Sequence, residues 1–185
     1  MGSSHVFVLT GPTAVGKGTV IKQLTARFPD VWLSISATTR PPRAGEIDGV
    51  DYYFVSEQKF DELVRSGAML EWARVHGRHR YGTLRTAVER ALEQGKTVLL
   101  ELDLAGSRQV RQSMPEAVHI FLAPPSWDEL VGRLVGRGTE DASEQARRLE
   151  TARVELAAEN EFDMVVVNTT VEQAVIDIAH AMQLA

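Results

Sequence analysis

The sequence of 185 residues contains no cysteine, so it has no disulfide, no thiolate metal site and no cysteine nucleophile. No stretch approaches the roughly 18 to 20 apolar residues of a membrane-spanning helix, and the N-terminus lacks the features of a signal peptide. A surplus of positive charge is also missing, because the formal net charge is −5. Broad binding to nucleic acid or anionic lipid is therefore disfavoured, and we expect a cytoplasmic protein with neither as a partner.

Lysine is scarce among the basic residues. Of the 20 lysines and arginines only four are lysine, and the remainder are arginine, whose planar fork binds two phosphate oxygens at once. A compositional bias of the genome explains this ratio more simply, so the positions of the arginines must carry any inference. The length and the apolar content of 44% suffice for one domain with a proper core, or for one domain with a small inserted lobe.

Apolar strands alternate with helices along most of the chain. The run HVFVLT ends at a glycine, as a buried parallel strand does, and TVIKQLTARF continues with apolar residues at helical spacing. This alternation predicts an α/β fold with a parallel sheet covered by helices on both faces. The predicted strands are 5–10, 97–102, 118–123 and 164–168, and the predicted helices are 19–28, 84–94, 126–136, 143–159 and 171–183.

Residues 34 to about 82 break this alternation. The segment SISATTRPPRAGEIDGVDYYFVS is rich in β-branched and aromatic residues, two adjacent prolines and glycine turns, and a short helix at 57–66 follows it. We interpret the segment as a small mixed β lobe inserted into the α/β core. A lobe attached at two points can close over a ligand.

A phosphate-binding loop is predicted between the first strand and the first helix. Gly11, four further residues, Gly16 and Lys17 form the pattern G-x-x-x-x-G-K. In that geometry backbone N–H groups and the start of the helix surround the oxygens of a nucleotide's di- or triphosphate, while the lysine reaches the β and γ phosphates. A chance glycine-rich turn or a dinucleotide fold is the less favoured interpretation. The predicted nucleotide-binding residues are Gly11, Pro12, Thr13, Ala14, Val15, Gly16, Lys17, Gly18 and Thr19.

The residue after the lysine departs from this pattern. Serine or threonine is expected there as a Mg²⁺ ligand, but the chain has Gly18, with Thr19 one position further. Either Thr19 or a water molecule would then contact the metal. Asp103 follows a buried strand and could hold Mg²⁺ through water, with Glu101 on the same side. The alternative is that Asp103 caps the next helix.

Several further motifs together carry a family resemblance. In order and spacing, SATTRPPRAGEIDGVDYYF, LEWA, YGT, LELDLAG, FLAPPS, GRGTE and VVVN resemble the guanylate kinase family from about residue 6 to 184. The resemblance implies a P-loop NTPase-type core (5–33, 84–125 and 160–185), a GMP-binding lobe (34–83) and a helical lid (about 126–159). It also implies transfer of phosphate from ATP to GMP, giving ADP and GDP, with dGMP as a further substrate.

The resemblance implies a set of GMP-binding residues. Two arginines and two tyrosines would hold the acceptor phosphate, while Glu71 accepts hydrogen bonds from guanine and the hydroxyls of Ser36 and Thr83 assist. Where this chain has Thr83 the family more often has serine. A carboxylate facing adenine would lose its donors and stay buried and unpaired, so that AMP would be rejected. The implied substrate-binding residues are Ser36, Arg40, Arg43, Tyr52, Glu71, Tyr81, Thr83, Glu101 and Asp103.

The implied lid carries arginines that would stabilise charge on the transferring phosphoryl group. A charged, solvated helix face is the plainer interpretation. Asn168 matches a position that contacts adenine in relatives, although a turn residue at the end of a strand is nearly as plausible. For His76 and His79 we expect exposed loop positions and no catalytic role. The implied catalytic residues are Lys17, Arg40, Arg133, Arg137 and Arg148.

The motifs also bear on mechanism. An acceptor phosphate is already ionised at neutral pH, so no general base is required, and an open form should close to exclude water. Two alternative functions are a non-catalytic guanylate-kinase-like module that binds phosphorylated partners and a P-loop kinase for another small phosphorylated acceptor. We expect a monomer or a small homo-oligomer.

Overall fold

A computed structural model describes residues 5–75, 78–135 and 142–184. Its first sheet is fully parallel, with five strands in the order β2-β7-β1-β8-β9, and helices cover both of its faces. This arrangement confirms the predicted α/β class. The strands of this sheet are β1 (Val6–Thr10), β2 (Val31–Leu33), β7 (Thr97–Glu101), β8 (Val118–Ala123) and β9 (Met164–Val167).

Seven α-helices are present in the described residues. Their bounds are α1 (Lys17–Arg27), α2 (Glu57–Arg65), α3 (Arg85–Glu93), α4 (Leu104–Ser113), α5 (Trp127–Val135), α6 (Ala142–Ala157) and α7 (Val171–Ala181). Most lie within one or two residues of the prediction. Helix α4 is anticipated in the sequence only as an element that Asp103 could cap and has no predicted bounds, because its sequence LAGSRQVRQS has few apolar residues at helical spacing. None of the described helices is long and apolar enough to cross a membrane.

The core of the protein is formed on both faces of the parallel sheet. Strand β1 is buried along its whole length, as expected for a central parallel strand. On one face Val20, Leu24 and Ile178 from helices α1 and α7 are fully buried. On the other face Val88 and Val110 from helices α3 and α4 are equally buried. The sheet is therefore packed between two layers of helices, and the loops that follow the carboxyl ends of its strands lie together at one edge.

The second sheet is mixed, as the sequence predicts for the inserted segment. Its strands β3 (Ser36–Thr38), β4 (Tyr53–Phe54), β5 (Met69–Val75) and β6 (His79–Leu84) are ordered β4-β3-β6-β5. Strands β3 and β4 are parallel, whereas the other two pairs are antiparallel. The chain enters this sheet after β2 and returns to the core through β6 and α3.

Strand β5 is fastened to the core by helix α4. The side-chain amide of Gln109 accepts a hydrogen bond from the Trp72 N–H at 3.0 Å and donates one to the Trp72 carbonyl at 3.0 Å. The hydroxyl of Ser113 donates to the carbonyl of Leu70 at 2.7 Å. One edge of the second sheet is thus bonded to the α/β core at three backbone groups.

Candidate active site

The predicted phosphate loop lies between β1 and α1, where the carboxyl ends of parallel strands meet. Gly16 has φ 100° and Ala14 has φ 68°, so two residues of the loop are in the left-handed region. Glycine adopts this conformation without a steric cost, but alanine does not. Gly11 is required for a different reason, since a Cβ there would collide with the carbonyl of Leu122 in the neighbouring strand.

Lys17 is largely buried within this loop. Its ammonium group donates to the Gly11 carbonyl and lies 3.5 Å from the Pro12 carbonyl. Burial lowers the pKa of Lys17, while the carboxylates of Glu155, Glu101 and Asp103 oppose that effect. The loop therefore combines one cation with three nearby anionic side chains.

Side chains from the C-terminal third of the chain bond directly to the loop. The Asn168 amide donates to the Val15 carbonyl at 2.8 Å, and Arg133 Nη1 donates to the same oxygen at 3.2 Å. The Thr13 N–H donates to Glu155 Oε2 at 3.3 Å. Asn168 is buried, with its side chain committed to the loop, and the expected contact with adenine stays a prediction.

The acidic residues at the end of β7 lie beside the loop. Leu9 of β1 pairs with Glu101 of β7, and Asp103 follows two residues later. Asp103 caps helix α4, accepting the Gly106 N–H at 2.7 Å, which is the alternative that the sequence left open. One carboxylate oxygen makes this bond, so the second stays available and the metal role stays a prediction.

Thr19, the other predicted metal ligand, is exposed in the first turn of α1. Among the described residues, no group of three or more His, Asp or Glu side chains is arranged to hold a metal ion. A sparse ligand set suits Mg²⁺, which retains several of its waters.

The register of the second sheet brings the three predicted guanine-binding residues into one row. Ser36 pairs with Thr83 across β3 and β6, and Thr83 pairs with Glu71 across β6 and β5. The Thr83 hydroxyl donates to Glu71 Oε1 at 2.7 Å. Burial raises the pKa of Glu71, the charge of Asp103 adds to this effect, and the bond from Thr83 opposes it.

Glu71 also approaches the start of helix α4. A Cβ on Gly106 would lie 3.1 Å from Glu71 Oε2 and 3.2 Å from Asp103 Oδ1. Glycine at position 106 therefore lets the predicted guanine-binding row, Ser36, Thr83 and Glu71, come close to the end of β7. The charge of Asp103 raises the pKa of both Glu71 and Lys17.

Three of the four predicted phosphate-binding residues form a second cluster on the lobe. The Tyr52 and Tyr81 rings meet edge to face with centroids 5.9 Å apart, and the Arg40 guanidinium lies 5.2 Å from the centroid of Tyr52. Two nitrogens of Arg40 bond the two oxygens of Glu46 at 2.8 and 2.9 Å. These bonds to Glu46 are the main cause that raises the pKa of Arg40.

The remaining predicted residues are more scattered. Arg43 is exposed, and its backbone N–H donates to Glu46 Oε2 at 2.7 Å. Arg148 lies half-buried on α6. Arg137 and His76 fall outside the described residues. His79 differs from the expected exposed loop position, since it is half-buried at the start of β6 and pairs with Val75.

Sequence reasoning missed two acidic residues of the site. Glu46 lies six residues after Arg40 in a turn-rich segment, and no regular spacing links the two. Glu155 lies on α6 and is far from the loop in sequence. Its one visible signal is an acidic residue on an otherwise apolar helix face, between Ala152 and Leu156.

The sequence is similar to those of known guanylate kinases. The family model for guanylate kinase matches residues 3–185. A guanylate kinase of Leifsonia xyli subsp. xyli is 60% identical over 180 residues, which cover 97% of this chain and 71% of that protein. A guanylate kinase of Cutibacterium acnes is 57% identical over 183 residues, 99% of this chain and 90% of that protein.

Two solved structures give the same picture at the level of the fold. The crystal structure of guanylate kinase from Anaplasma phagocytophilum has a TM-score of 0.71 and 31% identity, over 98% of this chain and 86% of that chain. Shikimate kinase from Bacteroides thetaiotaomicron, at 14% identity and a TM-score of 0.50 over 96% and 97% of the two chains, shares the fold alone. With the motifs and the matched family model, these comparisons establish that the chain belongs to the guanylate kinase family.

Proposed function

We propose which residues of this enzyme carry out the family's reaction, the transfer of the terminal phosphoryl group of ATP to GMP. ATP binds at the loop 11–19, and GMP binds on the face of the second sheet formed by the guanine-binding row and the tyrosine cluster. One observation carries the proposal. A Cβ on Gly106 would lie 3.1 Å from Glu71 Oε2 and 3.2 Å from Asp103 Oδ1, and β7, which ends just before Asp103, pairs with the strand that leads into the loop. The two binding surfaces therefore adjoin, as direct transfer requires.

Recognition of guanine rests on Glu71. Guanine offers N1–H and the exocyclic amine as donors, and the buried carboxylate of Glu71 accepts them. Ser36 and Thr83 offer hydroxyls beside it. The buried carboxylate of Glu71 needs hydrogen-bond donors from the bound base. Adenine has no such donors at these positions and would leave the carboxylate unpaired, which supports strong discrimination against AMP. Glu101 and Asp103 are further proposed contacts of GMP, and Asp103 lies next to Glu71.

The acceptor phosphate is held by Arg40, Arg43, Tyr52 and Tyr81. A guanidinium has five N–H donors; Glu46 and the Pro41 carbonyl accept three of those of Arg40, and we propose that the remaining ones bond phosphate oxygens. The same ion pair and the stacked Tyr52 ring hold Arg40 in place before GMP arrives. This reduces the ordering cost of binding.

The residues around Lys17 fit a divalent cation. Glu101 and Asp103, at the end of β7, have exposed carboxylates, and hard carboxylate oxygens are the ligands that Mg²⁺ takes in proteins. Asp103 and Thr19, directly or through water, are the proposed contacts of Mg²⁺. When bound with ATP, the ion supplies positive charge that offsets the phosphates and orients them for in-line attack.

Transfer itself requires alignment and charge neutralisation rather than proton removal. Lys17 binds the terminal phosphates, and Arg133, Arg137 and Arg148 of the lid add positive charge around the transferring group. The lobe (34–83) and the lid (about 126–159) close on the core (5–33, 84–125 and 160–185) and exclude water. We further propose that dGMP is also accepted, that the enzyme acts in the cytoplasm, and that it is a monomer or a small homo-oligomer.

A coupled assay of ADP release tests this assignment. With ATP and Mg²⁺, we expect turnover of GMP and dGMP, weak turnover of IMP and little of AMP. Glu71→Ala should chiefly damage the use of GMP and its selectivity. If AMP or a sugar phosphate were a better acceptor than GMP, the assignment of the acceptor site would be wrong.

A further inference from the structure

The phosphate loop contains a strained residue that other parts of the chain hold in place. Ala14 has φ 68°, a conformation in which its Cβ is crowded by the backbone. Such a residue persists only where its surroundings restrain it. The residues on either side of Ala14 form hydrogen bonds with residues far away in the sequence. The Thr13 N–H donates to Glu155, and the Val15 carbonyl accepts from Asn168.

Both distant partners are themselves fixed. Asn168 is 3% exposed, and its own N–H donates to the Ala123 carbonyl at 2.8 Å. This bond continues the β8–β9 pairing into the site. Glu155 is 9% exposed and lies one turn after the fully buried Ala152 on α6. Each partner therefore offers a polar group from a packed element rather than from a mobile side chain.

We propose that Glu155 and Asn168 are positioning residues that hold Thr13 to Val15 in the conformation that binds the phosphates of ATP. The inference rests on the proposed role of residues 11–19. Glu155 accepts the N–H of the peptide unit between residues 12 and 13, and Asn168 donates to the carbonyl of the unit between residues 15 and 16. The two bonds thus fix both ends of the segment that contains Ala14. The N–H groups at the start of α1 then remain directed at the phosphates.

The position of Asn168 also explains why residue 16 is a glycine. A Cβ on Gly16 would lie 3.0 Å from Asn168 Nδ2, so the amide is packed directly against the loop backbone. Glu155 has a further effect, because its charge lies near Lys17. Glutamine at position 155 keeps an oxygen that can accept the Thr13 N–H but removes the charge, which separates the hydrogen bond from the electrostatics.

The test compares KM for ATP, KM for GMP and kcat in a set of variants. Loss of either hydrogen bond, in Glu155→Ala or Asn168→Ala, should raise KM for ATP by about tenfold, with KM for GMP within about twofold of the wild type. Glu155→Gln should restore most of the loss seen in Glu155→Ala. Glu150→Gln, an exposed change on the same helix, is the matched control and should leave all three constants unchanged.

Relief of the strain at position 14 gives the decisive measurement. Ala14→Gly removes the cost of the left-handed conformation, so it should lower KM for ATP at least about threefold in the Asn168→Ala background. In the wild type, where the loop is already held, it should change that KM by less than about twofold. A role confined to overall stability would give no such rescue.

Three kinetic results would contradict the proposal. Equal rises in both KM values, an unchanged KM for ATP, or no rescue by Ala14→Gly would overturn it. Thermal unfolding of every variant shows whether it is folded; if Asn168→Ala is not, the near-isosteric Asn168→Asp, which also lacks the donor, replaces it. Calorimetric binding of ATP to the wild type and to Lys17→Ala tests the role of residues 11–19 separately from that of Glu155 and Asn168. Equal affinity of the two proteins for ATP would contradict the proposed role of the loop itself.

Discussion

Replacing Glu71 with glutamine changes one buried acceptor into a donor and leaves the volume of the side chain unchanged. In the wild type, Glu71 Oε1 accepts the Thr83 hydroxyl at 2.7 Å, and the carboxylate is 7% exposed. A glutamine oxygen can still accept from Thr83. The amide nitrogen would then face the proposed position of guanine, where the proposal has a carboxylate oxygen of Glu71 accepting a hydrogen bond from the base.

The expected magnitude is that of one charge-assisted hydrogen bond. Such a bond contributes about 1.5–3 kcal/mol, so kcat/KM for GMP should fall about 10- to 150-fold. IMP lacks the exocyclic amine and should lose less, so the preference for GMP over IMP should narrow. Burial raises the pKa of Glu71, which means that the ionised group is costly to bury, and Glu71→Gln should not lower the Tm.

The assay is steady-state ADP release with GMP and IMP as acceptors, at constant ATP and Mg²⁺. Glu89→Gln, an exposed change on α3, serves as the matched control and should match the wild type with both acceptors. An unchanged kcat/KM for GMP in Glu71→Gln, or an equal loss for GMP and IMP, would refute the assignment of Glu71 to guanine.

Three further predictions concern the loop, the lobe and the core. Lys17→Ala should lower kcat about 10²- to 10³-fold at saturating GMP, and a kcat within tenfold of the wild type would contradict its role. Gly82→Ala should raise KM for GMP and lower the Tm, because a Cβ there would lie 2.7 Å from the Glu71 carbonyl and 2.8 Å from Trp72 Cβ; KM for ATP should stay constant. Burial lowers the pKa of His119 from 6.5 to about 4, so on acidification the unfolded state takes up the proton before the folded state does. The free energy of unfolding should therefore be constant above about pH 6.5 and fall by on the order of 3 kcal/mol as the pH drops to about 4. Urea unfolding should show a smaller acid loss in His119→Gln, and an equal loss would disprove the explanation.

The sequence was informative where local spacing determines structure. A glycine loop between an apolar strand and a helix predicted the position of Lys17, and the change from helical to strand-like composition predicted the mixed β lobe. The bounds of helix α4 escaped prediction because the helix depends on its surroundings rather than its own periodicity. Asp103 starts it with a side-chain cap, and its residues then pack beneath β5.

The contacts that organise the site were less predictable, because they join residues far apart in the chain. The bond from Asn168 to Val15 spans 153 positions, and that from Thr13 to Glu155 spans 142. No local pattern contains such information. The family resemblance named most of the residues proposed to touch the substrates, but it did not reveal Glu46 or Glu155, which bond the protein's own groups.

The three bonds from Gln109 and Ser113 to strand β5 have a consequence for the order of events in catalysis. These bonds tie the strand that carries Glu71 to the core, so we expect the closing movement of the lobe to be smallest there and largest at the opposite edge, where Arg40 and Tyr52 lie. We therefore expect the base to contact Glu71, on the less mobile side of the cleft, before Arg40 and Tyr52 close over the nucleotide. A wrong purine would then depart from the open enzyme, and discrimination would appear mainly as weak binding rather than as slow turnover.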